Sequence, residues 1–350
     1  MECKWKSVYE DGVKCSREAD SSGYCIFHKE NKTREENSLF TYLIIKEKIS
    51  DFRGFIFEDN FSIKDVVNYD YLKLNFNECI FNKKALFNEF TFNKNVTLNY
   101  TEFKEYINFE KSIFEENLQL HKSKFNKSYI SNKVFEKVNF NGQAFIVDGV
   151  KNLPSLEGIL FSPCTKLILK NVKYSKKDAL YGKINYRISR TQANVLGDSE
   201  RLGYYYYNER SYASKIMKSS DYPRFSTYLN DKLFDVLSKY TIGYGEKPWR
   251  LLSSTIILIS IFAFLYMFCG VKNSSGTFIG LNTNNQYTFK EILDIYLDLW
   301  YFSTVTFTTL GFGDLTVTTF FGKLLVCIEA FSGVTIGSTW ASLVIKRMIR

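Results

Sequence analysis

Thr308-Thr309-Leu310-Gly311-Phe312-Gly313-Asp314 is the run on which the reading of this chain turns. Two glycines alternate in it with large apolar residues. Gly311 and Gly313 reach backbone angles that a Cβ resists, so the run can turn successive carbonyl oxygens towards one axis. Thr309 adds a hydroxyl and a carbonyl at the inner end. Leu310 and Phe312 are expected to point outward and pack behind the run, with Asp314 at its outer mouth. A row of carbonyls of this kind can replace the water shell of a potassium ion. A second Gly-Tyr-Gly, at 243–245, has no threonine run before it and no apolar span on its N-terminal side. It is not read in the same way.

The flanks carry the argument further. Residues 251–271 hold no charge over 21 positions; at ~1.5 Å rise per residue they cover about 30 Å, the core of a bilayer. A second apolar segment, 318–345, includes Lys323 and Glu329, and its later part is filled by Ser332, Gly333, Thr335, Gly337, Ser338 and Thr339. An inner helix facing a wet path and close neighbours has that composition. A buried hairpin of a soluble protein would explain two apolar segments, but the uncharged length of the first favours a membrane. Between them, 289–307 reads as an amphipathic re-entrant helix running into the glycine run. Irregular backbone at membrane depth must be enclosed by protein or water.

At these residues the chain resembles the tetrameric two-transmembrane-helix potassium channels, pore-loop proteins whose filter reads T-V/I/L-G-Y/F-G-D. The resemblance implies a selectivity filter at Thr309, Leu310, Gly311, Phe312, Gly313 and Asp314, potassium ions as the permeant species, and a homotetramer around one pore. It places an aromatic cuff at Trp300, Tyr301 and Phe302, with the Tyr301 hydroxyl within reach of Asp314. It places the inner-helix hinge at Gly333. Register from there sends Gly337 and Ala341 towards the cavity and Ile345 near its inner end. Val305 departs from the family in leaving no carboxylate behind the filter. A poorly selective cation channel is the alternative within the same class. A membrane-anchored signalling scaffold is the alternative outside it.

Orientation follows from charge. The net +9 of the chain falls within residues 151–250, with Lys239, Lys247 and Arg250 beside the first span, and the chain closes on Lys346, Arg347 and Arg350. The positive-inside tendency puts both termini in the cytoplasm of a multi-pass plasma-membrane protein. Such a basic block could meet nucleic acid, but its place beside a span makes membrane lipid the simpler partner. The polar, cysteine-bearing N-terminus does not read as a cleavable signal. With so little chain beyond the second span, gating is expected from the N-terminal side.

There the clearest pattern is a repeat. Phe61, Val66, Tyr71, Phe76, Phe81 and Leu86 lie five residues apart. After slips of one residue the period resumes at Phe87 and Phe92, Leu98 and Phe103, and Phe109 and Phe114. It then runs through Leu120, Phe125, Ile130, Phe135, Phe140 and Phe145. Five fits neither a helix nor a strand. It fits a square β-solenoid in which each side turns one large residue inward. Small residues stand two before the centre at Cys79, Thr101, Ser112 and Ser123. These positions resemble the pentapeptide-repeat family, which implies a right-handed quadrilateral β-helix here in degenerate form, with the slips as bulges.

Cys3, Cys15, Cys25 and His28, the last two as Cys-Ile-Phe-His, make a complete tetrahedral set for Zn2+. A cytosolic setting keeps thiols reduced and favours metal over disulfides. Four protein ligands leave no open position, so the site is expected to be structural. Cys79, Cys164, Cys269 and Cys327 are scattered, and His121 is expected to be solvated. There is no Gly-rich phosphate loop, no HExxH and no GxSxG, which argues against an enzyme. The expected organisation is a multidomain chain: a zinc module at 1–40, the β-solenoid at 41–150, a helical coupling region at 151–245, and an all-α pore domain at 246–350. The pore domain comprises spans at 251–271 and 318–345 with the pore helix and filter at 289–314. Helices are expected over 190–218, broken at Gly197-Asp198, and over 223–240. GYGEKPWR at 243–250 is similar to the stretch before the first span of bacterial channels with pentapeptide repeats, implying a bacterial inner membrane. A cytosolic regulator is the expected partner of the solenoid.

Overall fold

The computed structural model describes residues 1–66, 73–126, 134–281 and 286–349. The chain divides into two compact units, residues 1–222 and 223–350.

The first unit is a β-solenoid closed at both ends. Short parallel strands stack in four ladders, the longest of five strands, which gives about five coils with four sides. Phe57 pairs in register with Phe81, Phe81 with Phe103, and Phe103 with Phe125. Between the last three the step is 22 residues, not 20. The buried series runs Phe76, Phe81, Phe87, Phe92, Leu98, Phe103, Phe109, Phe114, Leu120, Phe125, so sides of five and six alternate. What the sequence shows as slips is therefore the regular coil. A left-handed backbone recurs in step at Glu78, Glu89, Tyr100, Lys111 and Lys122, twice per coil, where the chain turns its corners. Leu86, expected inward, is only half-buried, and Phe87 takes the core position. The expected positions Tyr71 and Ile130 lie outside the described residues.

Rings meet the rings beneath them. Phe57 and Phe81 stack with centroids 4.6 Å apart and planes within 4°, and Phe81 and Phe103 at 5.1 Å and 7°. Those spacings match the ~4.8 Å between neighbouring strands, so backbone pairing and ring stacking set the same rise. The small residues satisfy their own buried polar atoms. Thr101 Oγ1 donates to the Phe76 carbonyl at 2.7 Å, Ser112 Oγ to that of Phe87 at 2.6 Å, and Cys79 Sγ to that of Phe52 at 2.9 Å. Each ties its corner to the coil below.

Solenoid coils continue past residue 150, through strands Ile159–Phe161 and Lys166–Lys170. Two helices then follow, Ala179–Val195 and Ser199–Ile216, with Gly197 in the left-handed region between them. They lie against the last coil: Tyr205 Oη donates to the Leu167 carbonyl at 3.0 Å, Tyr186 Oη to Val172 at 2.9 Å, and Gln192 Nε2 to Thr165 at 2.9 Å. A stack of parallel strands exposes unpaired backbone and apolar rings at its end, and terminal caps cover them. The helices expected as a coupling region thus act as the solenoid's lid. At the other end, helix Arg34–Glu47, opened by a Thr33–Glu36 capping box, puts Phe40 and Ile44 into the same core. His121 is half-buried beside Asp148, with 3.3 Å between Nδ1 and Oδ2, rather than free in solvent.

The second unit is helical. Helix Phe225–Thr241 leads into a short turn at Gly243–Gly245. The Tyr244 hydroxyl there reaches buried Asp235 at 3.2 Å, so this Gly-Tyr-Gly is a corner. Pro248 opens the first apolar helix, Pro248–Cys269, from its first turn. The middle helix is Phe289–Phe307, opened by a Thr288–Glu291 capping box, and the last is Phe320–Ile349. Two of the three, the first and the last, are long and apolar enough to cross a membrane. A small antiparallel sheet of 271–273, 278–279 and 315–316 joins the loops between them.

Candidate functional site

The glycine run follows the C-terminus of the middle helix. Thr309, Gly311 and Gly313 have φ of +57°, +55° and +77°, whereas Leu310 and Phe312 between them do not. The sign of φ therefore alternates residue by residue along the run. For a β-branched residue such as Thr309 the left-handed region is costly and persists only where the surroundings impose it. Leu310 N–H donates to the Val305 carbonyl at 3.1 Å, which anchors the run to its helix. Among the described residues no hydrogen bond reaches the carbonyls of residues 309–313. Within the single chain Leu310 and Phe312 are 63 % and 66 % exposed, so the chain alone supplies no packing behind them.

The three expected cuff residues make three different contacts. Trp300 Nε1–H donates to Ser260 Oγ of the first apolar helix at 3.2 Å. Tyr301 Oη donates to Asp314 Oδ2 at 3.0 Å, closing the outer end of the run onto the middle helix. Phe302 is buried and meets Tyr266 edge-on, with centroids 5.0 Å apart. On the last helix, Gly333 lies against the middle helix: a Cβ there would run into the carbonyl oxygen of Phe307. At Gly337 a Cβ would meet nothing within 4 Å. Ala341 and Ile345 are exposed, and only 17 % of the apolar window of this helix is buried within the chain.

Sequence reasoning passed over one group. Glu329 of the last helix is completely buried. Tyr266 Oη of the first helix donates to its Oε2 at 2.8 Å, and Ser303 Oγ of the middle helix contacts its Oε1. This carboxyl lies where the three helices meet, against Tyr266 and Ser303. The available signal was an acidic residue inside an apolar span.

The second cluster is at the N-terminus. The ligand atoms of Cys3, Cys15, Cys25 and His28 all lie within 4.8 Å of one another. Zn–S and Zn–N bonds of ~2.3 and ~2.0 Å imply tetrahedral edges of roughly 3.6–3.8 Å. Cys15 Sγ and Cys25 Sγ are 3.8 Å apart, and Cys3 Sγ is 3.6 Å from His28 Nδ1. The His28 ring is fixed from behind. Its Nε2–H donates to the Arg53 carbonyl at 3.0 Å, which leaves the Nδ1 lone pair facing the thiols as the metal-binding nitrogen, and Trp5 stacks flat on the ring at 4.5 Å. Burial pushes the Cys25 thiol up to about 12, the Cys15 thiol upward, and His28 down to about 4. An uncharged imidazole suits a metal ligand; the thiols need a cation to ionise. The four residues could hold a metal ion.

No curated protein and no solved structure matches the chain. Residues 271–350, which contain the glycine run, the middle helix and the last helix, match a family model described as an ion channel, and that similarity supports ion-channel function for this part of the chain.

Proposed function

We propose that this protein is a potassium-selective channel whose filter is residues 309–314, assembled from four copies. The observation that carries the reading is the alternating handedness at Thr309, Gly311 and Gly313, with unpaired carbonyls that can take the place of water around a cation. Tyr301 holds the outer end of the filter through Asp314, and Trp300 and Phe302 support it by bracing the helix behind it against the first span. Gly333, Gly337, Ala341 and Ile345 belong to the inner helix and its cavity. Four copies are required because one chain leaves Leu310, Phe312 and most of the last helix uncovered. In this arrangement both termini lie in the cytoplasm, the basic flank of the first span meets anionic lipid, and the solenoid regulates or assembles the pore. Cys3, Cys15, Cys25 and His28 hold a structural zinc ion.

The test is purified protein in potassium-loaded liposomes. A potassium gradient is expected to drive flux that Gly311→Ala and Gly313→Ala abolish, and replacing potassium by sodium is expected to suppress it. Flux that ignores both glycines refutes the pore assignment. Equal sodium and potassium flux refutes the selectivity.

A further inference from the structure

Three helices of the second unit meet on one carboxyl group, and the protons available there can be counted. Tyr266 Oη contacts Glu329 Oε2 at 2.8 Å. Ser303 Oγ contacts Glu329 Oε1, and it also lies 3.0 Å from the Ile259 carbonyl of the first helix. A hydroxyl carries one proton, and a carbonyl only accepts. Three contacts therefore need three protons, of which Tyr266 and Ser303 supply two. If Glu329 were ionised, Ser303 could serve either the carboxylate or the Ile259 carbonyl, not both. With a proton on Oε1, the carboxyl donates to Ser303 Oγ, Ser303 donates to Ile259, Tyr266 donates to Oε2, and all three contacts close.

The surroundings agree with that count. Glu329 is fully buried, and among the described residues no lysine, arginine or histidine pairs with it. The first helix presents Tyr266, with the Cys269 and Cys327 thiols beside that ring, and the middle helix presents Ser303. None of these brings a positive charge, and an unpaired carboxylate removed from water is costly. One helical turn beyond each partner, Gly333 sits against Phe307, the last residue of the middle helix before the run at 308–314. The carboxyl therefore seats the helix that carries the filter.

We infer that Glu329 is a proton-binding site in the interior of the pore unit, and that its bound proton positions the middle helix for conduction. This rests on the channel reading above. Losing the proton breaks one of the three contacts and frees a charge between the helices, so conduction falls as pH rises.

The experiment uses the full chain in liposomes, with wild type compared with Glu329→Gln. A glutamine amide donates to Ser303 and accepts from Tyr266, so it reproduces the three contacts and cannot titrate. Wild-type potassium flux is expected to fall several-fold from neutral to alkaline pH. Glu329→Gln is expected to conduct like wild type at neutral pH and to stay level across the range. A parallel infrared difference spectrum between the two proteins at neutral pH is expected to show a protonated-carboxyl C=O stretch in wild type only. Flux that falls equally in both proteins, or a carboxylate band in place of the carboxyl band, overturns the proposal. Absence of wild-type flux at neutral pH refutes the channel reading instead, and the infrared arm still decides whether the proton is there.

Discussion

Replacing Gly333 by alanine separates two roles for this residue. As a hinge, it would be needed for bending, and alanine would change gating while leaving the resting structure intact. The structure gives it a different task, because a Cβ at 333 would meet the backbone oxygen of Phe307, and backbone cannot turn aside as a side chain can. Overpacking of this kind costs about 1–3 kcal/mol. Alanine regains ~0.5–1 kcal/mol of helix propensity over glycine, which leaves a net loss of up to about 2.5 kcal/mol, centred near ~1 kcal/mol. The displaced element is the end of the helix that leads into the run at 308–314, the proposed filter, so the loss should appear in conduction as well as in stability. Gly337→Ala is the internal control: it gains the same propensity and meets no atom of its own chain within 4 Å. Thermal unfolding in detergent and potassium flux in liposomes are measured on both. Gly333→Ala is expected to melt lower than wild type and to lose flux or selectivity, and Gly337→Ala to melt at or above wild type. Equal stability of the two variants would refute the close-packing argument and return Gly333 to a hinge.

Three further outcomes concern the first unit. Elemental analysis is expected to find about one zinc per chain, and Cys25→Ser to lose it. Because burial pushes the Cys25 thiol up to about 12, binding must displace protons from thiols, so affinity for zinc rises as pH rises and weakens as it falls. His28, held down to about 4, stays an uncharged ligand throughout the neutral range. A competition titration against a chelator that is flat with pH contradicts this. In the solenoid, Phe87 is fully buried, 5.0 Å from Phe109 and 5.4 Å from both Phe76 and Phe61. Phe87→Ala is expected to cost about 3–5 kcal/mol. Phe90→Ala, at a half-buried position, should cost clearly less in the same denaturant series, and equal losses would deny that position 87 is core.

Much of the chain was legible because its signals are local. The five-residue spacing of phenylalanine, the uncharged stretch at 251–271 and the Cys-x2-His pair are each written within a few dozen residues, as were the breaks at Gly197 and before Pro248. The Tyr301–Asp314 contact could be expected from the family resemblance, thirteen residues apart on a helix and the run that follows it. The true coil length was harder. A strict period of five is the simplest pattern, and the alternation of five and six emerges only when strands are paired and 22 residues separate stacked rings. The lid formed by 179–216 was illegible for a related reason. Its inward tyrosines and glutamine look like any polar helical face until the unpaired carbonyls of the last coil are beside them.

Sequence by itself determined which segments are apolar enough to cross a bilayer, that Gly311 and Gly313 can adopt left-handed backbone, and which thiols and imidazole could share a metal. Those properties belong to residues and their near neighbours. Tertiary structure alone decided that Glu329, Ser303 and Tyr266 share a hydrogen-bonded cluster although 26 and 63 positions separate the two hydroxyl residues from Glu329. It alone decided that Gly333 marks a close approach to Phe307. Contacts between helices depend on how the helices are rotated about their axes and how closely they pack, and no spacing along the chain encodes either.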